Sequence, residues 1–367
     1  MSTIKVNNLQ NASAASPAIV LAADGSATAQ VSSLNGGPLA GTRNRIINGD
    51  MRIDQRNAGA SYAQTTTAIY GLDRWKTDID TGLGRWSVQQ VSDAPAGFTN
   101  SLKATITTQE AQPVNALHQI YQPIEGYNVA DLAFGTASAS DVTVSFWVKA
   151  SVTGTYSLNV FSTDRSYTTS FVVNSADAWE YKTITVPGAT DGTWATNNGN
   201  SMYLEFTIGG GTDKVRTADT WSSATVGVVA GSVYLPATSG ATFQVTGVQL
   251  EPGTVATPFE RRSYGQELAL CQRYFQVFTS FSIEGYANAG NIRAVTIPLP
   301  FPVQMRATPT RTVITAGTFS NIRGSSTTYA GLGLIGLTST FASASIESAG
   351  AGLCQYLNAT ESMSAEL

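Results

Sequence analysis

Apolar and polar residues alternate along several short segments in the middle of the chain. These segments are 142–148, 156–160, 181–186, 202–208 and 243–250. A period of two places alternate side chains on one face of a strand, so each segment is predicted to be a strand with one buried face. Turn residues such as Pro187-Gly188 and 209–211 separate the segments. Short strands with turn signals between them predict a large β-sandwich or jelly roll over residues 43–260.

The polar residues of the chain are mostly uncharged. Only 13% of its 367 residues are charged, whereas ordinary soluble domains contain about 25%. Ser, Thr, Asn and Gly suit strands and turns and are poor residues for a helix interior. The composition therefore predicts an all-β chain, long enough for two or three domains of roughly 100–200 residues each. All six tryptophans fall within 43–260, so we expect the largest core there.

Residues 1–42 are predicted to form an extended N-terminal arm. Within this arm, residues 19–21 and 27–31 flank Asp24-Gly25, a dipeptide that favours a tight turn between two strands. A lone hairpin is only marginally stable in water. We therefore expect the arm to become ordered against another chain, and a flexible tail is the open alternative.

A short connecting helix is predicted at residues 261–278. Ser263 and Gln266 fit a capping box, in which each side chain bonds to a backbone N–H of the first turn. One apolar face follows at helical spacing, formed by Tyr264, Leu268, Cys271 and Phe275. We expect this face to pack against a neighbouring domain or against another copy of the chain.

Residues 279–367 are predicted to form a smaller C-terminal β-sandwich domain. Candidate strands lie at 281–283, 292–299, 311–315, 333–337 and 341–346. Four prolines interrupt this region and are not compatible with central strands: Pro298, Pro300, Pro302 and Pro309.

Several classes of partner and compartment are disfavoured by charge and hydropathy. The net charge is −4 and no run of Lys or Arg is present, which argues against nucleic acid. No apolar stretch reaches the roughly 20 residues that span a bilayer. The segment 1–10 lacks the layout of a signal peptide, so synthesis in a cytoplasm is expected. Cys271 and Cys354 are predicted to be buried thiols, with a disulfide between them as the open alternative.

No arrangement of residues indicates catalysis or a cofactor. His118, the one histidine, lies in a predicted strand, which favours a structural role over that of a general base. A zinc site lacks ligands, and a structural calcium between the sheets stays open without a ligand set. No carboxylate pair stands in a distinctive motif, and 209–211 lacks the Lys of a phosphate-binding loop. The chain is therefore predicted not to be an enzyme.

Three tryptophans near turn-rich segments are candidates for stacking on the apolar face of a sugar ring: Trp179, Trp194 and Trp221. Ordinary packing in the sandwich is the alternative for each of them. Trp147 is flanked by core residues of its strand and is expected to be buried.

Four segments of the sequence resemble one class of proteins. They are 2–9, 44–56 with 72–75, 245–263 running into 271–275, and 301–310. In their order along the chain they resemble tail fibre and minor tail proteins of tailed bacteriophages, which contain a jelly-roll module of the carbohydrate-binding type. The second and third segments are similar to the start and the exit of such a module.

This resemblance implies a virion structural protein of a tail appendage. It implies a homotrimer, docking to other virion tail proteins through residues 1–42, and contact between a host surface glycan or protein and a distal domain at 279–367. It implies no catalytic residue, no cofactor and no membrane insertion. A structural adaptor, collar or head fibre without a receptor role is the main alternative, and a glycan depolymerase is a further one.

Overall fold

The computed structural model describes residues 42–64, 68–80, 82–278, 300–312 and 362–367 in full, and elsewhere only the backbone of the strands. The strands are β1 (Asn8–Leu9), β2 (Ile19–Leu21), β3 (Ala27–Ala29), β4 (Tyr62–Gln64), β5 (Ile69–Leu72), β6 (Trp75–Asp80), β7 (Arg85–Val91), β8 (Ser101–Thr108), β9 (Leu117–Glu125), β10 (Val142–Ala150), β11 (Gly154–Phe161), β12 (Ser166–Val173), β13 (Glu180–Val186), β14 (Asn200–Gly210), β15 (Thr220–Ser222), β16 (Thr242–Pro252), β17 (Phe275–Ala287), β18 (Thr296–Pro300), β19 (Thr310–Thr315), β20 (Thr318–Asn321), β21 (Leu332–Leu337), β22 (Phe341–Ile346) and β23 (Gly352–Ser364). The α-helix of the described residues is α1 (Tyr264–Gln272).

Strands β4–β16 form two antiparallel sheets. The six-stranded sheet has the order β13-β10-β16-β8-β7-β4, and the seven-stranded sheet has the order β15-β12-β11-β14-β9-β6-β5. The chain passes repeatedly from one sheet to the other, as in a jelly roll. The predicted all-β fold with a jelly-roll sandwich is therefore confirmed.

Aromatic rings from both sheets meet between them and form the core. On β10, Val144, Phe146 and Val148 point inward and are fully buried, as their alternation predicts. The Phe146 ring contacts Phe206 of β14 edge-on, with ring centroids 4.9 Å apart. It meets Phe171 of β12 at 5.0 Å in the same geometry. Burying one such side chain stabilises the fold by roughly 1.5–3 kcal/mol, so these contacts hold the sheets face to face.

The segment that enters the sandwich packs on the segment that leaves it. Arg43 forms an ion pair with Glu251 at 3.1 Å, and the Asn44 amide side chain donates to the Val248 carbonyl. A Cβ at Gly49 would lie 2.2 Å from the Val248 oxygen, so this close approach requires glycine. The segments 44–56 and 245–263, which resemble the start and the exit of a jelly-roll module, thus lie together.

The predicted helix is present but shorter than expected. Its capping box of Ser263 and Gln266 is confirmed. The prediction of a helix to residue 278 is wrong, because Phe275 begins β17 and pairs with Ser364 of β23. The predicted apolar face is also wrong in part, since Tyr264 is 57% exposed. Cys271 is a buried free thiol; the Cys354 side chain lies outside the described residues.

The helix packs against the sandwich. Cys271 and Tyr274 form a small cluster with Ile47 and Ile53. The Arg273 guanidinium and the Tyr274 hydroxyl both donate to the buried carboxylate of Glu125 at the end of β9. These contacts fix the helix to the seven-stranded sheet.

The strands outside the sandwich form three further antiparallel sheets. At the N-terminus β2 pairs with β3, with Ile19 opposite Ala29, which confirms the hairpin predicted there. After α1, a four-stranded sheet has β17, β19 and β20 paired around β23, and a three-stranded sheet has the order β18-β22-β21. The domain boundaries at 42, 260 and 278 remain predictions.

Candidate functional site

Two aromatic side chains lie side by side on the outer face of the six-stranded sheet. Trp147 of β10 is opposite Tyr181 of β13 in the register, and their ring centroids are 5.4 Å apart. Tyr181 is 45% exposed and Trp147 is partly exposed. The expectation that Trp147 is buried was wrong. Because side chains alternate along a strand, Trp147 faces away from the core into which Phe146 points.

These two rings line an open groove of about 710 Å³. One wall comes from two loop residues, Phe98 and Phe259, whose rings meet edge-on with centroids 5.2 Å apart. Ser145 and Thr183 also line the groove, and Thr183 is exposed there. The site thus combines aromatic surface with hydrogen-bonding groups.

A β-bulge in β16 shapes the groove. Ser145 pairs with Gln249 and Trp147 pairs with Thr246, so β16 contains one residue more than β10 between these pairs. Gly247 lies in this bulge with φ +61°. A Cβ on Gly247 would lie 2.7 Å from the Phe98 ring. Glycine therefore both permits the backbone turn and leaves room for the groove wall.

Arg261 is the charged residue that lines the groove. Its guanidinium carbon lies 4.6 Å from the Phe98 ring centroid and 5.7 Å from that of Phe259. In the part of the chain that the structure describes, Arg261 makes no ion pair and no hydrogen bond. Its N–H groups are therefore available to a ligand.

A second charged group lies further along the same face. Lys149 is two residues from Trp147 on β10, about 7 Å away on the same side. It forms an ion pair with Asp93, and the hydrogen bond from Lys149 holds the pKa of Asp93 below its ordinary value. The Trp179 indole N–H donates to Asp93 at 3.3 Å, and the Lys149 ammonium lies 5.5 Å from the Trp179 ring centroid.

The three tryptophans proposed for sugar contact do not come together. Trp179 lies on the groove face, beside Lys149. Trp194 and Trp221 lie elsewhere, with ring centroids 5.7 Å apart and both edge-on to Phe134. Their indole N–H groups donate to backbone carbonyls at 3.0 Å and 2.8 Å. Trp194 and Trp221 thus pack against the core, and a sugar-binding role for any of the three remains a prediction.

The sequence contained a signal for one of the groove residues that were not predicted, and none for the others. In the alternation of β10, Trp147 lies on the same face as Thr143 and Ser145 and on the opposite face from Phe146. This pattern alone predicts that Trp147 faces away from the core. Phe98, Phe259 and Arg261 lie in loops without periodicity, so only the folded chain brings them to the groove.

A second cavity, of about 270 Å³, lies where β11 ends and β12 begins in the seven-stranded sheet. Phe161 and Tyr203 line it with their rings parallel and 4.4 Å apart. Each ring covers a face of the other. Arg165 at this cavity is paired with Asp191. This cavity therefore offers less free aromatic surface than the groove, and its arginine is already neutralised.

His118 lies inside the sandwich, away from the groove. It is fully buried in β9, with its ring edge-on to Tyr234 at 5.7 Å. Burial lowers the pKa of His118 to about 4, so its imidazole is neutral at pH 7.

The described residues contain no group of three His, Cys, Asp or Glu side chains placed to hold a metal ion. Among the same residues, no helix is long and apolar enough to cross a membrane.

Comparisons with known proteins identify no relative by sequence. No protein-family model matches the chain, and no curated protein matches it.

Solved structures give matches at low similarity. One is the enzymatically active domain of tailspike protein 4 of bacteriophage CBA120, with 12% identity and a TM-score of 0.29 over 57% of this chain and 21% of that chain. Another is the module TmCBM61 in complex with β-1,4-galactotriose, with 9% identity and a TM-score of 0.30 over 57% of this chain and 99% of that chain. A third is a family 11 carbohydrate-binding module of Clostridium thermocellum, with 11% identity and a TM-score of 0.29 over 53% of this chain and 99% of that chain. At these TM-scores the likenesses carry no argument about this chain, which spans about a fifth of that tailspike domain's length.

Proposed function

We propose that the groove on the outer face of the six-stranded sheet binds a glycan. The observation that carries this proposal is the Trp147–Tyr181 pair, which offers aromatic surface to solvent on a rigid sheet. Sugars present apolar faces that pack well on such rings. The hydroxyl of Thr183, which is exposed, can bond to a sugar hydroxyl, and a groove of about 710 Å³ lies within the usual range of ligand sites.

The test is binding of a panel of bacterial surface polysaccharides to Trp147→Ala and Tyr181→Ala variants. Each variant should bind the preferred polymer about fivefold or more weakly, because one aromatic contact contributes about 1 kcal/mol or more. Tyr127→Ala is the matched control, since Tyr127 is 63% exposed and does not line the groove. Unchanged binding by Trp147→Ala, or an equal loss with Tyr127→Ala, would contradict the proposal.

The wider proposal is that the chain is a tail fibre subunit of a tailed bacteriophage, used for host attachment. Its support is the resemblance of segments 44–56, 245–263 and 301–310 to such proteins. The proposed assembly is a homotrimer made in the host cytoplasm, with residues 1–42 docked to other tail proteins. Several weak sites on one rigid particle bind together with a much higher effective affinity, so a repeated single groove suits attachment.

Immunogold electron microscopy with antibody against residues 279–367 tests the location. Gold at the outer ends of tail appendages is expected. Gold at the neck, head or tail shaft would instead indicate an adaptor, collar or head fibre. Release of reducing sugar ends from a bound polysaccharide would replace the proposed non-catalytic role with that of a depolymerase.

A further inference from the structure

Arg261 differs from the other cations around the groove, because no described residue is its acidic partner. Arg262 is paired with Glu260 and Glu267. On the same face of the sheet, Lys149 is paired with Asp93. These charges cancel locally.

Two acids that could balance the charge of Arg261 are already engaged. Glu260 accepts the backbone N–H of Asn44 at 2.7 Å. Asp50, which senses the charge of Arg261, lies 2.5 Å from the Arg52 guanidinium. Within the described part of the chain, the groove therefore has an uncompensated positive charge, although the net charge of the chain is −4.

The surroundings of Arg261 also hold its guanidinium in place. Its position over Phe98 and Phe259 restricts the side chain by contact with ring faces. The five N–H groups of a guanidinium lie in its plane, and those of Arg261 have no hydrogen-bond partner among the described residues. A planar fork of this kind matches the two oxygens of a carboxylate.

We infer that the glycan of this groove is acidic, and that Arg261 binds a sugar carboxylate while Trp147 and Tyr181 contact the sugar rings. This rests on the proposed glycan-binding function of the groove. Uronic acids and pyruvylated sugars carry the required group. Two parallel N–H···O bonds fix the plane of a carboxylate, so Arg261 would select its orientation as well as its charge.

The test compares acidic polysaccharides with their own carboxyl-reduced, neutral forms. Polygalacturonate, alginate and hyaluronate are the probes, and binding to the full chain is measured at two salt concentrations. At least one acidic polymer should bind tenfold or more tightly than its reduced form. Arg261→Gln should abolish that difference, and Arg261→Lys should keep only part of it because lysine lacks the fork.

Arg165→Gln is the matched control, because it removes one positive charge at the seven-stranded sheet and should leave the preference intact. This inference would be overturned if the acidic and reduced polymers bind equally, and if Trp147→Ala but not Arg261→Gln removes that binding. The proposed function of the groove would then still stand. Failure of Trp147→Ala to weaken binding of any polymer would overturn both.

Discussion

Gly247 determines how close the loop of Phe98 can come to Trp147. It has a positive φ and stands in the bulge of β16. Its missing side chain leaves the space that Phe98 and the Trp147 ring fill; a Cβ would lie 3.2 Å from that indole ring. One glycine thus connects a backbone irregularity to the shape of the proposed binding site.

Gly247→Ala should therefore lower the free energy of unfolding by more than the cost of placing alanine at a positive φ. Gly240 also has a positive φ, but nothing lies within 4 Å of the position that a Cβ would take there. We expect Gly240→Ala to lower the free energy of unfolding by about 1 kcal/mol and Gly247→Ala by roughly 2–4 kcal/mol, since overpacking adds to the backbone cost. Urea unfolding measures both. Equal losses would show that the contact with Phe98 is unimportant.

The sequence contains a signal for this bulge, although 243–250 was predicted as one regular strand. Phe243 and Val245 are buried on one phase and Val248 and Leu250 on the other, so the alternation shifts by one residue at Gly247. Such a shift at a glycine indicates a bulge. The partners of that bulge were not visible, because Phe98 lies in a loop about 150 residues away and loop contacts have no sequence period.

Three neighbouring strands of the seven-stranded sheet share one buried polar network. Glu205 of β14 accepts hydrogen bonds from Gln119 of β9 at 2.6 Å and from Asn159 of β11 at 3.1 Å. Thr207 donates to the same carboxylate. Burial raises the pKa of Glu205 to about 7, because the charged form is poorly solvated there.

Glu205 should make stability fall as pH rises from about 4.5 to about 7. In that window the folded state keeps a proton that the unfolded chain has released. His118 acts in the opposite direction: its pKa of about 4 in the folded state means that stability falls as pH drops below 6.5. The Glu205 effect is therefore measured as a difference between variants.

The free energy of unfolding of the wild type minus that of Glu205→Gln should decrease across this window, by up to about 3 kcal/mol. The glutamine keeps the shape of the side chain without titrating; its NH2 group replaces one acceptor oxygen, which changes the difference by an amount that does not depend on pH. Chemical unfolding at pH 4.5, 5.5, 6.5 and 7.5 gives the comparison. A difference that is constant with pH would contradict the assigned role.

Strands were predicted better than the helix end. The strands at 142–148 and 181–186 follow from period-two alternation, and the helix start follows from the capping box at Ser263. The helix end was missed because Phe275 fits the helical spacing, whereas its pairing with Ser364 of β23 comes from a distant segment. Tertiary contacts of that kind override local preference.

The last residues of the chain return to the sandwich. Glu366 is paired with both Arg56 and Arg74, and Arg74, which is almost fully buried, also lies 3.7 Å from the Tyr274 ring centroid. The Tyr70 hydroxyl donates to the Leu367 carbonyl at 2.7 Å. Residues 366 and 367 thus meet the segment 56–74 of the sandwich, which the sequence did not indicate because isolated charged residues give no pairing signal.

Removal of residues 1–42 should leave a folded product that fails to enter virions. The cut spares Arg43 and Asn44, whose contacts with Glu251 and Val248 close the sandwich. Thermal unfolding measures the fold, and mass spectrometry of purified particles measures incorporation, with the full chain as control. A truncated protein that aggregates, or that still enters particles, would count against the docking role.

Hydroxyl-radical footprinting with and without a saturating polysaccharide tests the central claim most directly, because it reports the exposure of individual side chains. We expect labelling of Trp147 and Tyr181 to fall on binding. Tyr127 and Tyr264, which are exposed elsewhere, should be labelled as before. Protection of Tyr203 on the seven-stranded sheet, with Tyr181 still fully labelled, would contradict the account and move the binding site to the opposite face.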